Sequence, residues 1–140
     1  MSRIFWDSNL FIYLLEDYPE YSQAVADLRQ RMLERGDRLL TSTLTLGEIL
    51  VKPSALGDLA LCQLYEDILG KTALLLPFDL SAARRYALIR KNRSVKAPDA
   101  IQLACAGEAG VDLFVTNDHR LQGRQVDGIQ FIVALDQVPI

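Results

Sequence analysis

Asp7, Glu48, Asp99 and Asp118 are the side chains of this sequence best placed to do chemistry. Each lies at or just past the end of an apolar run, or at the start of a helix-like segment. The runs read RIFWD (3–7), LLTSTLTLGE (39–48), KAPDAIQLA (96–104) and LFVTND (113–118). Parallel strands of an α/β sheet deliver their C-terminal ends to one edge, so acids far apart in sequence can meet there. Four carboxylates in one pocket repel one another, and a divalent cation relieves that repulsion. The pattern therefore points to metal-dependent chemistry with hard oxygen ligands. The single His119 argues against a histidine-rich zinc site. Cys62 and Cys105 fall in helix-like apolar segments and read as buried thiols.

Taken one at a time, the acids have simpler uses. Asp7, Asp99 and Asp118 all stand where a helix begins, and Asp is favoured there by capping and by the helix dipole. Glu48 is harder to dismiss, because Leu46, Ile49 and Leu50 surround it and a buried carboxylate needs a partner. Capping also does not explain an apolar strand that ends in Asp twice over, at RIFWD and FVTND. Thr116 and Asn117 add polar groups able to orient the carboxylate of Asp118, and Ser8 can do the same for Asp7 or merely cap. Asp27, Glu34, Asp58, Glu66 and Asp127 lie in surface-like contexts and read as solvated charges.

The net charge of −3 does not mark a nucleic-acid binder, but the distribution of charge is uneven. No acid occurs between Asp79 and Asp99, whereas Arg84, Arg85, Arg90, Lys91, Arg93 and Lys96 fall there, six of the fifteen basic residues. A solvated helix face would give the same run. Its position directly before Asp99 suits a polyanion whose backbone must approach carboxylates.

The elements that would position these groups alternate. Strand-like runs occur at 3–6, 39–42, 72–76, 113–116 and 129–133. Helix-like segments lie at 10–16, then from Pro19 to Gly36, at 44–51, 55–69, 79–92 and 98–109, with Lys52-Pro53-Ser54 expected to break the third. Tyr21, Val25, Leu28 and Met32 form an apolar stripe at helical spacing. Alternation of this kind predicts an α/β fold with a parallel sheet covered on both faces. At 140 residues and 50% apolar content, one compact domain spanning 1–140 is expected. No run is long and apolar enough to span a membrane, and the N-terminus carries no signal-peptide core, so a cytoplasmic location is expected.

The strand ending in Asp7-Ser8-Asn9, the helical Glu48, the segment APDAIQLACA and the FVTND ending at Asp118 together resemble the PIN domain, in order and spacing and over essentially the whole chain. Within that family the length is similar to VapC-type toxins, the ribonuclease halves of toxin–antitoxin pairs. The resemblance implies a three-layer sandwich around a five-stranded parallel sheet. It implies that Asp7, Asp99 and Asp118 hold Mg²⁺ or Mn²⁺, that Glu48 is a fourth ligand, and that Ser8, Thr116 and Asn117 support them. It also implies an RNA substrate, a homodimer and a cognate antitoxin that blocks the site. His119-Arg120 after the TND segment is more basic than the resemblance leads one to expect. Two alternatives remain at this level: a non-catalytic RNA-binding or scaffold domain, and a receiver-like signalling domain. The second wants an Asp ending the third strand and a Lys ending the fifth, where this chain has Leu76-Pro77 and no Lys after Lys96.

Overall fold

A computed structural model describes residues 1–140. Five strands, β1 (Arg3–Trp6), β2 (Arg38–Ser42), β3 (Leu74–Leu76), β4 (Val111–Thr116) and β5 (Ile129–Ala134), form one sheet in the order β3-β2-β1-β4-β5. All four pairings are parallel. Six helices complete the fold: α1 (Ser8–Leu15), α2 (Ser22–Arg35), α3 (Thr43–Ala55), α4 (Leu59–Thr72), α5 (Leu80–Ile89) and α6 (Ala97–Ala109).

Side chains alternate across a strand, and here the alternation feeds two cores. Ile4, Trp6, Leu39, Leu113 and Val115 point to one face and pack with Val25, Leu28 and Met32 of α2, Ile49 of α3 and Leu69 of α4. Phe5, Leu40 and Phe114 point to the other and pack with Ala82 of α5 and Leu103 and Ala106 of α6. Phe5 and Phe114 stack with ring centroids 4.9 Å apart. The result is the expected three-layer sandwich. Topology explains the division of helices. The chain steps β1→β2→β3 in one direction and then returns past β1 to β4. Right-handed crossovers running in opposite directions place their helices on opposite faces.

Several boundaries differ from the sequence reading, each for a local reason. Pro19 is not in the first turn of α2; it lies in the turn before it, and α2 starts at Ser22, whose Oγ donates to the carbonyls of Tyr13 and Glu16. Pro53 does not break α3: its ring is buried, the missing N–H leaves only Ile49 O without its intrahelical donor, and the helix ends two residues later at Ala55. Gly70 does not end α4, which runs on to Thr72. Asp58 is exposed as expected and is also the N-cap of α4, accepting from Leu61 N at 3.0 Å. The basic helix α5 stops at Ile89 rather than near residue 92, and Asp79 caps it as expected. Gly36 ends α2 as expected, with φ of 73°, so that Asp37 N reaches back to Met32 O at 2.9 Å.

Candidate active site

β1 and β4 are neighbours, and the direction of chain winding reverses between them. Open parallel sheets form a crevice at such a point. Asp7 leaves the end of β1 there and Asp118 follows β4. Asp7 is 5% exposed. Its Oδ1 accepts from Ser8 N at 2.8 Å, capping α1, and its Oδ2 accepts from Thr116 Oγ1 at 2.8 Å across the sheet. Thr116 Oγ1 in turn accepts from Asp118 N at 3.1 Å, so a single hydroxyl joins the two strand ends.

Glu48 projects from α3 and is half-buried; its Oε1 accepts from Ser8 Oγ at 3.2 Å. Ser8 therefore holds two acids, one through its amide and one through its hydroxyl. Asp99 lies in the first turn of α6 but caps nothing: the N-cap is Lys96, and the Asp99 carboxylate accepts no protein hydrogen bond. That removes capping as an explanation for Asp99, though its place in the first turn still suits the helix dipole.

The electrostatics show which acids share a space. Burial raises the Asp7 carboxyl to about 6, partly offset by its bonds from Thr116 and Ser8 and reinforced by the charges of Asp99 and Glu48. Glu48 is raised by burial and by Asp99, against the pull of the Ser8 hydroxyl. Asp99 is raised by burial and then by Asp118, against Arg120, Lys96 and Arg124. Asp7, Glu48 and Asp99 thus form one mutually repelling group, and Asp118 joins it only through Asp99. Asp118 is itself held below the usual carboxylate range by Arg120, whose Nε and Nη2 bind its two oxygens at 3.0 and 2.7 Å.

The donor set suits a hard divalent cation, all carboxylate oxygen with neither thiol nor imidazole among it. Each Asp7 oxygen spends one lone pair on a protein donor and keeps another, and Asp99 keeps all of its own. As the side chains stand, no three acidic, histidine or cysteine groups close on one ion position. Mutual repulsion and the Arg120 clamp on Asp118 both oppose such closure. The residues present fit Mg²⁺ or Mn²⁺ in kind, with inward movement of the carboxylates required.

Asn117 does not touch an acid; its Nδ2 donates to Tyr13 Oη at 3.2 Å. Among the six basic residues before Asp99, only the charge of Lys96 is felt at that carboxylate. Arg85 is tied to Glu108 and to Asp127 O at the far end of α6, and Arg90 lies 6.0 Å over the Tyr86 ring. Arg84, Lys91 and Arg93 are exposed. Sequence reasoning noted Arg120 just beyond the TND segment without giving it a role, and missed Arg124 as a cation of the site.

Comparison with known proteins bears on the fold and the family. The fold matches VapBC2 from Rickettsia felis, solved bound to a promoter DNA fragment, with a TM-score of 0.74 at 13% identity, covering 94% of this chain and 98% of that one. It matches DNA-bound VapBC from Salmonella typhimurium with a TM-score of 0.69 at 22% identity, covering 96% and 99%. The toxin–antitoxin member VapBC-5 from Mycobacterium tuberculosis matches with a TM-score of 0.62 at 21% identity, covering 96% and 99%. No curated protein sequence matches the chain. The PIN domain family matches residues 4–126, a span that holds all four acids, and the chain belongs to that family.

Proposed function

We propose that this PIN domain is a ribonuclease dependent on Mg²⁺ or Mn²⁺ and the toxin of a toxin–antitoxin pair. The observation that carries the reading is the convergence of Asp7, Glu48 and Asp99 from three separate elements on one sheet edge, with repulsion left unrelieved by any protein cation at Asp7 or Glu48. A domain that only bound RNA would gain nothing from an anionic pocket facing phosphates. A receiver-like domain is set aside by the family match.

Asp7 and Asp99 would hold the cation, with Asp118 and Glu48 as the further candidates. When bound, it supplies an activated water and neutralises charge developing on the scissile phosphate. Ser8 and Thr116 fix the Asp7 carboxylate, so little reorganisation is left to the moment of reaction. Lys96, Arg120 and Arg124 stand around Asp99 and attract the RNA backbone into the anionic edge. A groove of about 760 Å³ between α5, α6 and residues 124–127, lined by Arg84, Asn92 and Arg124, continues that path, while Arg85 in its wall is spent on Glu108 and Asp127 O. Arg90, Lys91 and Arg93 extend the same charge.

Its structural neighbours include toxin–antitoxin complexes, which supports a small protein antitoxin as partner. Exposed Phe78, Leu80 and Leu88 on and beside α5 suit a homodimer. No helix is long and apolar enough to cross a membrane; an RNA-cleaving toxin would meet its substrate in the cytoplasm. The test is cleavage of single-stranded and structured RNA with Mg²⁺, with EDTA, and by Asp99→Asn. Cleavage is expected only for the native chain with metal; full activity in EDTA or in the variant would refute the proposal.

A further inference from the structure

We propose that Gln102 is a positioning residue whose buried amide locks together the three elements that carry Asp7, Glu48 and Asp99. The proposal rests on the metal-dependent reading of those acids. Gln102 is 1% exposed and lies three residues after Asp99, on the same face of α6. Its Nε2 donates to Thr45 Oγ1 at 2.9 Å, three residues before Glu48 on α3. Its Oε1 accepts from Ser42 Oγ at the end of β2. Thr45 Oγ1 is 2.7 Å from Thr41 Oγ1, and Thr41 donates at 2.9 Å to Trp6 O, the carbonyl directly before Asp7.

The direction of every proton in this chain is fixed. The single hydroxyl proton of Thr41 goes to Trp6 O, so Thr45 must donate to Thr41. Thr45 Oγ1 is then an acceptor for Gln102, and Ser42 donates to the other end of the amide. Only a group that donates and accepts at that reach fits: Glu lacks the donor, Leu lacks both, and Asn is one methylene short. Trp6, Thr41, Ser42 and Thr45 are all fully buried, so none of these bonds is shared with solvent. Apolar residues would hold α3 against α6 without the cost of burying five polar groups. What the network adds is register. A slip of α6 along α3 at Gln102–Thr45 displaces Asp99 from Glu48 by the same amount, one turn away.

The test compares Gln102→Leu with Met32→Ala, a core truncation on α2 that touches neither network nor acids. Two quantities are read: Mn²⁺ affinity by electron paramagnetic resonance, and the carboxyl ¹³C resonances of Glu48 and Asp99 in the metal-free protein. Gln102→Leu is expected to weaken Mn²⁺ binding about 10–100-fold and to move both resonances, while Met32→Ala lowers Tm and changes neither. Should the single variant fail to fold, Thr45→Val with Gln102→Leu removes both bonding partners and carries the same expectation. Unchanged affinity and resonances, or an equal loss in Met32→Ala, would overturn the proposal. If the native protein binds no Mn²⁺, the nuclease reading falls, and the metal-free resonances alone decide the positioning role: movement upholds it and constancy overturns it.

Discussion

Asp7→Asn should stabilise the metal-free protein at neutral pH. Asp7 is 5% exposed and its carboxyl is raised from 3.8 to about 6, chiefly by burial. A raised carboxyl destabilises the fold once it ionises. Its contribution is fully present below the unfolded value of 3.8 and is lost as pH rises through about 6. A shift of about two units amounts to about 3 kcal/mol between the two limits. Roughly half of that falls between about pH 8 and pH 5. Over the same interval Asp118, whose carboxyl is lowered, is ionised in both states and contributes no slope. Glu48 and Asp99 are raised and add to the slope in the same direction. The native protein in EDTA should therefore unfold at higher urea concentration at pH 5 than at pH 8. Asn keeps an acceptor for Ser8 N, and its amide can donate to the remaining lone pair of Thr116 Oγ1. The variant should flatten the pH profile and exceed the native protein at pH 8 by up to about 3 kcal/mol, worth on the order of 10 °C in Tm for a domain of this size. Added Mg²⁺ should then stabilise the native chain and not the variant, since only a group that binds the folded state shifts the equilibrium. A native protein no more stable at pH 5 than at pH 8, or a variant less stable at pH 8, would refute the account.

Arg120→Gln should raise the Asp118 carboxyl toward its ordinary range, because the paired guanidinium bonds are the main cause of its depression; carboxyl NMR titration of the metal-free protein reads this, and an unmoved Asp118 counts against the clamp. In an Asp99→Asn background, Lys96→Ala should reduce the salt slope of RNA binding by about 0.7, the share of one neutralised phosphate on a single strand. Arg85→Ala should leave that slope unchanged, since Arg85 is engaged by Glu108 and Asp127 O; equal slopes for both variants would contradict the assignment. Gly128→Ala should cost about 2–5 kcal/mol in urea unfolding, because Gly128 has φ of 87° and a Cβ there would stand 2.0 Å from Gly107 O. Gly70→Ala, in the open on α4, should instead gain about 0.5–1 kcal/mol, and a loss there would mean that a neighbour packs closer to Gly70 than the open space around it implies.

The acids were legible in the sequence because strand ends are. RIFWD and FVTND each show a buried strand giving way to a charge, and a parallel sheet gathers such ends by its own geometry. Sheet, layers and helix count followed from alternation for the same reason. Helix ends were less legible, since Pro53 sits buried in the last turn of α3 and Gly70 keeps a helical backbone in the open on α4, so neither residue ends its helix where the sequence punctuates it. The partners of the acids were legible only in part: Ser8 was read beside Asp7, but Thr116, read beside Asp118, gives its hydroxyl proton to Asp7. Nothing in the spacing of Arg120 shows that it bends back onto Asp118 rather than outward to substrate. Asn117, equally polar, turns to Tyr13 because the end of α1 happens to pass there.

Gln102 illustrates the same gap from the opposite side. In APDAIQLACA it reads as one polar residue within an apolar helix, where a solvated position would be the ordinary expectation. Its burial becomes intelligible only when Ser42 and Thr45 arrive from sixty and fifty-seven residues away. Repelling carboxylates cannot set their own spacing, because each gains by moving apart. Something uncharged must hold them, and it must be stiff in the direction along which they repel. The apolar cores act through non-directional burial, whereas hydrogen bonds are directional. A line of bonds running Gln102, Thr45, Thr41, Trp6 beneath the acidic edge supplies that stiffness, at a depth where solvent does not compete for it.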